Sequence, residues 1–291
     1  MFVEIAKGLL PRKFRKALKH KLLSPRGYVD LQTQPPWSSP NVWEVVVATY
    51  LGKKHPAIFE YGAGASSIHH LRNLLNGRGG SYTAVEHDRS WYGRVCGAVV
   101  ELAVRLGRSC TTRQTVFGTD ALDFHMSISM ADSFFCEICL KWRAPERGFR
   151  EGEGSSEQFE NYIKASGEGP YDLLVVDGRA RKACVDHVLD NHLLKKGGTL
   201  ALFDAGRGIE GWLGKPALTG DGDYQPAVRR MQAQGATLLD GIGYFSWPNL
   251  DEDFLIGRPN PPIPREACVL TLESGSKPAR GKAVPRAHAC G

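Results

Sequence analysis

The 291-residue sequence predicts an α/β protein with a doubly wound, mainly parallel sheet and helices on both faces. Three observations predict it. Runs that are apolar throughout, Ala57-Ile58-Phe59, Tyr171 to Val176 (YDLLVV) and Thr199 to Phe203 (TLALF), suit strands covered on both sides. Segments with apolar residues at helical spacing stand between them. A glycine turn, Gly62-Ala63-Gly64, follows the first run and opens a helix, at the carboxyl edge where such sheets take up ligands.

The elements follow in order. Pro40 suits the first turn of a helix near 41–51, with Ser38 or Ser39 before it as a cap. The strand at 57–59 leads through the glycine turn to a helix near 66–76 and a strand at Tyr82 to Val85. A helix near 89–107 carries Val95, Val99, Leu102, Ala103 and Leu106 on one stripe, and the alternating segment Thr111 to Phe117 reads as a third strand. Later come the strand 171–176, a helix 179–194, the strand 199–203, a helix 224–234, and strands near 236–245 and 267–272, giving seven strands. The stretch between Phe117 and Tyr171 is too long for one crossover. Helices are expected at 131–142 and near 157–165 around the polar, glycine-rich Arg147 to Ser156, and an insertion of about 126–169 beside the ligand-binding edge accounts for them. The 147–156 part reads equally well as a plain solvent loop.

A hydrophobic content of 42% supports a globular core, and apolar runs such as Val45 to Ala48 fall far short of the roughly 18 residues a membrane crossing needs. Met1 to Leu10 holds Glu4 and Lys7 and runs into Pro11, unlike a cleavable signal, so the expected compartment is the cytoplasm. The seven scattered cysteines suit reduced thiols. Cys136 and Cys139 read as two thiols on one helix face, with no second pair to complete a zinc site, and no metal ligand is assigned.

Charge is uneven. Residues 1–30 carry a net +6 and the tail 275–291 a net +4, leaving −4 on 31–274. A mildly negative body makes a poor nucleic-acid surface, because phosphate neutralisation needs clustered Lys and Arg. The expected organisation is a basic amphipathic extension (1–30), a linker (31–40), one domain (41–274) and a disordered basic tail (275–291). Phe2, Ile5, Leu9, Phe14, Leu18 and Leu22 recur among the basic residues, so the extension reads as an interfacial membrane helix or as a helix packed on the domain.

The sharpest signal is Phe59-Glu60-Tyr61-Gly62-Ala63-Gly64-Ala65-Ser66-Ser67. Its glycines permit a tight turn and close approach of a ligand to the backbone, and the helix that follows presents N–H groups. Glu86 ends the second strand, where a carboxylate commonly holds the hydroxyls of an adenosine ribose. With Glu60 two residues before Gly62, the sequence resembles the class I S-adenosylmethionine (SAM) dependent methyltransferases, whose Rossmann-like fold carries an acid-x-Gly-x-Gly motif, an acid after strand two and an acid-containing loop after strand three. The corresponding segments are Glu60 to Gly64, Glu86 and Gly118-Thr119-Asp120-Ala121. Val175-Val176-Asp177-Gly178 resembles the end of the family's fourth strand. Leu193 to Leu200 is similar to its approach to strand five, with Lys196 in place of the usual proline. The resemblance covers about 41–272.

It implies SAM as cofactor, held by the turn residues Glu60, Tyr61, Gly62, Gly64 and Ser66, with Glu86 on the ribose and Asp120 at the adenine amino group. The implied activity is methyl transfer to a small-molecule or sugar-like hydroxyl. Displacement at a sulfonium needs a positioned nucleophile and a base, and the strand ends offer Asp177 and Asp204. Arg179 and Arg181 suit either an anion on the substrate or orientation of one of those acids. The two acids could share a Mg²⁺, but Ala205 and Gly206 follow Asp204 where metal-using members carry further acid or amide residues, so a metal is not the favoured reading. Two alternatives remain: an NAD(P)-dependent oxidoreductase, which would want Gly or Ala near position 67 rather than Ser67, and a non-catalytic SAM-binding adaptor.

Overall fold

The computed structural model describes residues 31–33, 40–77, 79–129, 135–146, 149, 154–203, 225–243 and 263–271. The basic extension 1–30, Asp204 with Ala205 and Gly206, and the tail 275–291 lie outside the described residues.

Among the described residues, nine strands form one sheet: β1 (Ala57–Tyr61), β2 (Gly80–Glu86), β3 (Cys110–Phe117), β4 (Ala121–Ser129), β5 (Phe135–Arg143), β6 (Tyr171–Val176), β7 (Leu194–Leu202), β8 (Thr237–Gly243) and β9 (Ile263–Thr271). Their order is β3-β4-β5-β2-β1-β6-β7-β9-β8. The run β5-β2-β1-β6-β7 is parallel throughout, and β9 enters antiparallel between β7 and β8. The run β5-β2-β1-β6-β7-β9-β8 is a mainly parallel sheet of the expected seven strands, with β5 in place of the expected strand 111–117, and an antiparallel pair, β3 and β4, extends it at one edge.

Alternating residues of the central strands feed two separate cores. Ile58, Tyr82, Ala84, Leu173 and Val175 face α1 (Pro40–Leu51), α2 (Ala65–Asn76) and α3 (Arg89–Arg105). Phe59, Tyr61, Val85, Leu174 and Val176 face α4 (Glu160–Ile163), α5 (Arg181–Asp190) and α6 (Gln225–Ala233). The period-2 alternation of a strand explains why one apolar run supplies both faces. Among the described residues, no helix is long and apolar enough to cross a membrane.

Four expectations need correction. The 131–142 segment does not contain a helix over its described part: Phe135–Arg143 is a strand, with Cys136, Ile138, Leu140 and Trp142 buried at alternate positions. Cys136 and Cys139 therefore point to opposite faces rather than sharing one. The strand parallel to β2 is β5, not the segment 111–117, which forms the outer edge. Finally, α5 is shorter than 179–194, because Ala180 takes a left-handed φ of 49° and the chain is already back in β7 at Leu194.

Candidate cofactor and active site

Three hydrogen bonds lock the carboxyl ends of the central strands into a single ledge. The Gly62 N–H donates to Val85 O at 2.9 Å, Asp177 N–H to Tyr61 O at 2.9 Å, and Phe203 N–H to Val176 O at 3.0 Å. The strand connections diverge at β1, with β2 on one side and β6 on the other, which is where an open α/β sheet leaves a crevice. Gly62 has φ +96°, and a Cβ there would stand 2.6 Å from Gly178 Cα. Both positions need glycine because the two loops touch backbone to backbone.

Glu60 is fully buried behind this turn. Its carboxylate accepts hydrogen bonds from the Ser66, Ser67 and Tyr82 hydroxyls, the Ser67 bond at 2.8 Å. Burial pushes its pKa up, and the three hydroxyls pull partly against that shift. Ser67 Oγ also accepts the Gly64 N–H at 2.8 Å. The buried acid thus ties the glycine turn to the first turn of α2, whose N-terminal dipole favours a negative charge there. Trp91 of α3 completes the tie, its indole N–H donating to Ala63 O at 2.7 Å.

Glu86 ends β2 and is 5% exposed. Its Oε1 accepts the His87 and Asp88 backbone N–H groups, both at 2.8 Å, and lies 2.8 Å from His87 Nδ1. Oε2 accepts no hydrogen bond among the described residues. One oxygen is therefore used to hold the side chain in place, leaving the other for a ligand. Beside it the His87 ring packs edge-on against Phe149, Phe159 and Tyr162, with centroids at 6.1, 5.7 and 6.3 Å. These aromatic residues escaped sequence reasoning. Their only signal was the placement of 157–165 beside the ligand-binding edge.

The remaining residues divide clearly. Tyr61 is fully buried with its hydroxyl donating to Ile163 O at 2.7 Å, so it offers the crevice only backbone. Ser66 reaches Glu60. Asp177, with a quarter of its side chain exposed, lies at the end of β6, its Oδ1 3.3 Å from Arg181 Nη2. Arg181 is buried and donates to Gly178 O, Phe203 O and Asp177 O at 3.0, 3.0 and 3.1 Å. Its guanidinium is thus engaged with three main-chain carbonyls and the Asp177 carboxylate. Arg179 is half-buried two residues earlier. Asp120 occupies the β3–β4 turn with an exposed side chain that accepts the Thr119 hydroxyl at 2.9 Å. Its carbonyl accepts the Ala144 N–H at 2.8 Å, so the turn stands at the right edge but beyond β5, not directly after the neighbour of β2.

No protein-family model matches the chain, and no curated protein matches it. Solved structures similar to it include the O-methyltransferase TomG from Streptomyces achromogenes in complex with SAM, at 15% identity and a TM-score of 0.45, covering 92% of this chain and 94% of that one. The O-methyltransferase from Bacillus cereus in complex with SAH is similar at 11% identity and a TM-score of 0.46, with 93% and 96% covered. The Podospora anserina methyltransferase bound to SAH is similar at 16% identity and a TM-score of 0.40, with 89% and 97% covered.

Proposed function

We propose that the chain is a SAM-dependent methyltransferase acting on a hydroxyl of a small-molecule or sugar-like acceptor. The observation that carries this reading is a glycine turn whose polar groups are spent internally over a buried acid, set beside a second acid with one oxygen left over. A pyrophosphate at this turn would need backbone N–H donors and positive potential. Here Ser67 takes the Gly64 N–H, and Glu60 lies behind the turn. A ligand with a vicinal diol and no pyrophosphate suits Glu86 and this turn better. The sheet order supports the same choice, since β9 inserts antiparallel between β7 and β8, whereas the dinucleotide fold runs 3-2-1-4-5-6.

Glu86 holds the ribose hydroxyls through Oε2, and Gly62 and Gly64 let the methionine part approach the backbone. Glu60 and Ser66 fix the turn rather than reach the ligand, and Tyr61 lends its main chain. Asp120 closes on the adenine from the hairpin turn. When bound, SAM supplies an electrophilic methyl group. Asp177, oriented by Arg181, takes the proton from the acceptor hydroxyl, and Arg179 meets an anionic group on the acceptor. Asp204, outside the described residues, is the second candidate for that base. Residues 1–30 are the segment proposed for contact with an anionic membrane surface, with packing on the domain as the alternative.

Calorimetry with SAM, its demethylated product and NAD tests the assignment. SAM and the product should bind and NAD should not. Glu86→Ala removes charge-assisted hydrogen bonds worth roughly 1.5–3 kcal/mol each, so affinity should fall tenfold or more. Tighter binding of NAD, or unchanged SAM affinity in Glu86→Ala, overturns the reading.

A further inference from the structure

The antiparallel pairing of β4 and β5 gathers three donors of different chemistry on one sheet face. His125 and Cys139 are direct cross-strand partners, and Asp123 stands two residues before His125. Side chains two apart on a strand share a face, and cross-strand partners approach most closely of all. The opposite face of the same strands is apolar, with Met126, Ile128, Ile138 and Leu140 buried beneath α3 and its neighbours. The three donors are therefore not core residues by pattern.

Their ligand atoms all lie within 4.8 Å of one another, and Cys139 Sγ is 4.0 Å from His125 Nε2. Zinc–sulfur and zinc–nitrogen bonds of about 2.3 and 2.05 Å at a tetrahedral angle place S and N roughly 3.6 Å apart. Closure of that pair needs a few tenths of an ångström, and the pairs with Asp123, all within 4.8 Å, close by on the order of 1.2 Å at most. Asp123 is buried, and its Oδ1 accepts from Arg143 Nη1 at 2.6 Å. Such a bond fixes the carboxylate while its other oxygen can still ligate, which is the supporting role outer partners play at metal centres. The nearby Lys141 ammonium is turned away, donating to Ala165 O at 2.6 Å. His125 and Cys139 are half-buried, so solvent reaches the fourth position.

We propose that Asp123, His125 and Cys139 form a zinc site with one open coordination position, separate from the crevice at Gly62 and Glu86. One carboxylate, one imidazole and one thiol is a donor set for a borderline ion rather than for Mg²⁺ or Ca²⁺. Binding converts the Cys139 thiol to a zinc-bound thiolate and releases its proton to solvent, so uptake takes one proton off the protein for each ion bound.

The test titrates the full chain, stripped with a chelator, with Co²⁺ and then Zn²⁺. One equivalent of cobalt should give a thiolate-to-cobalt charge-transfer band in the near ultraviolet with intense visible bands of four-coordinate geometry, and zinc should abolish both. Cys139→Ser should lose the charge-transfer band and at least about 100-fold in zinc affinity, and His125→Gln about tenfold or more. Circular dichroism without metal checks that each variant keeps its fold. If Cys139→Ser does not fold, alkylation of the wild type read by peptide mass takes its place: zinc should protect Cys139, and His125→Gln should remove that protection. A wild type with no charge-transfer band at saturating cobalt, unchanged affinity in Cys139→Ser, or alkylation of Cys139 unaffected by zinc overturns the proposal.

Discussion

Replacing Gly178 with alanine is the most direct probe of the ledge that builds the crevice. A Cβ at this position would fall on the Tyr162 hydroxyl and 3.0 Å from both Gly62 Cα and Gly62 N. Neither neighbour can give way easily. Tyr162 is fully buried, with its ring 5.6 Å from Phe159 and 5.7 Å from Tyr61, and Gly62 is backbone pinned to Val85. Overpacking a tight core costs about 1–3 kcal/mol, and with two rigid neighbours the upper end, about 3 kcal/mol, is expected. For a domain of this size that lowers the melting temperature by roughly 6–12 °C. Tyr162→Phe removes the oxygen and leaves the Gly62 contact, so the double variant should be about 1–2 kcal/mol less destabilised than the two single changes added together. Urea unfolding followed by tryptophan fluorescence measures all four proteins, with SAM calorimetry alongside. Gly178→Ala with a wild-type midpoint, or strict additivity with Tyr162→Phe, would refute the close approach on which the crevice geometry rests.

His70 is fully buried, its pKa pushed down from 6.5 to about 3 chiefly by that burial, with Tyr50 Oη 2.9 Å from Nδ1. The folded state favours the neutral ring, so its contribution is complete above pH 6.5 and is lost as pH falls toward 3. Between pH 7 and 5 the wild type should lose about 2 kcal/mol that His70→Asn does not, and equal losses in denaturant melts at the two pH values would count against this. Asp177→Asn should keep near-normal SAM affinity while turnover of a screened acceptor falls by about 10²-fold or more, the range usual for a general base, with some loss of stability because the buried Arg181 loses its anionic partner; a wild-type rate would move the chemistry to another group. Deleting residues 1–30 should abolish binding to anionic liposomes and leave SAM affinity unchanged, whereas liposome binding that survives the deletion would remove the extension from that role.

Legibility in the sequence followed the physics of each segment. Strands β1, β6 and β7 are covered on both faces, so their unbroken apolar runs announce them. The glycine turn and Glu86 were equally plain, because a backbone constraint and an acid at a strand end are local features. The strand β5 was hidden by chemistry that alternates: Glu137, Cys139, Lys141 and Arg143 interleave with Cys136, Ile138, Leu140 and Trp142. The i, i+3 spacing of the two cysteines suggests a helix, while the period of two across the whole segment describes the strand. The same pattern in Leu122, Phe124, Met126 and Ile128 marks β4. With both read as strands, the edge position of 111–117 and the displaced setting of Asp120 follow. The burial of Glu60 was beyond local reading, since one of its three donors, Tyr82, stands 22 residues away. Nor could sequence alone separate Arg179 from Arg181, because only the carbonyls gathered at the ledge decide which arginine turns inward.

The added hairpin edge bears on the order in which the chain assembles. Strands β3, β4 and β5 pair successively and antiparallel, with partners as close in sequence as Phe117 and Ala121. By contrast, β2 meets β5 across 56 residues, from Gly80 to Cys136, and β1 meets β6 across 115, from Ile58 to Leu173. Closure entropy rises with the logarithm of that separation, and local pairs form first. The three-stranded meander can therefore stand as a nucleus that presents β5 ready-made to β2, with the β1–β6 junction closing last. The seam where Gly62 meets Gly178 belongs to that final step, so the crevice should be the latest part of the molecule to gain protection from hydrogen exchange during refolding, while the Asp123, His125 and Cys139 face should be among the earliest.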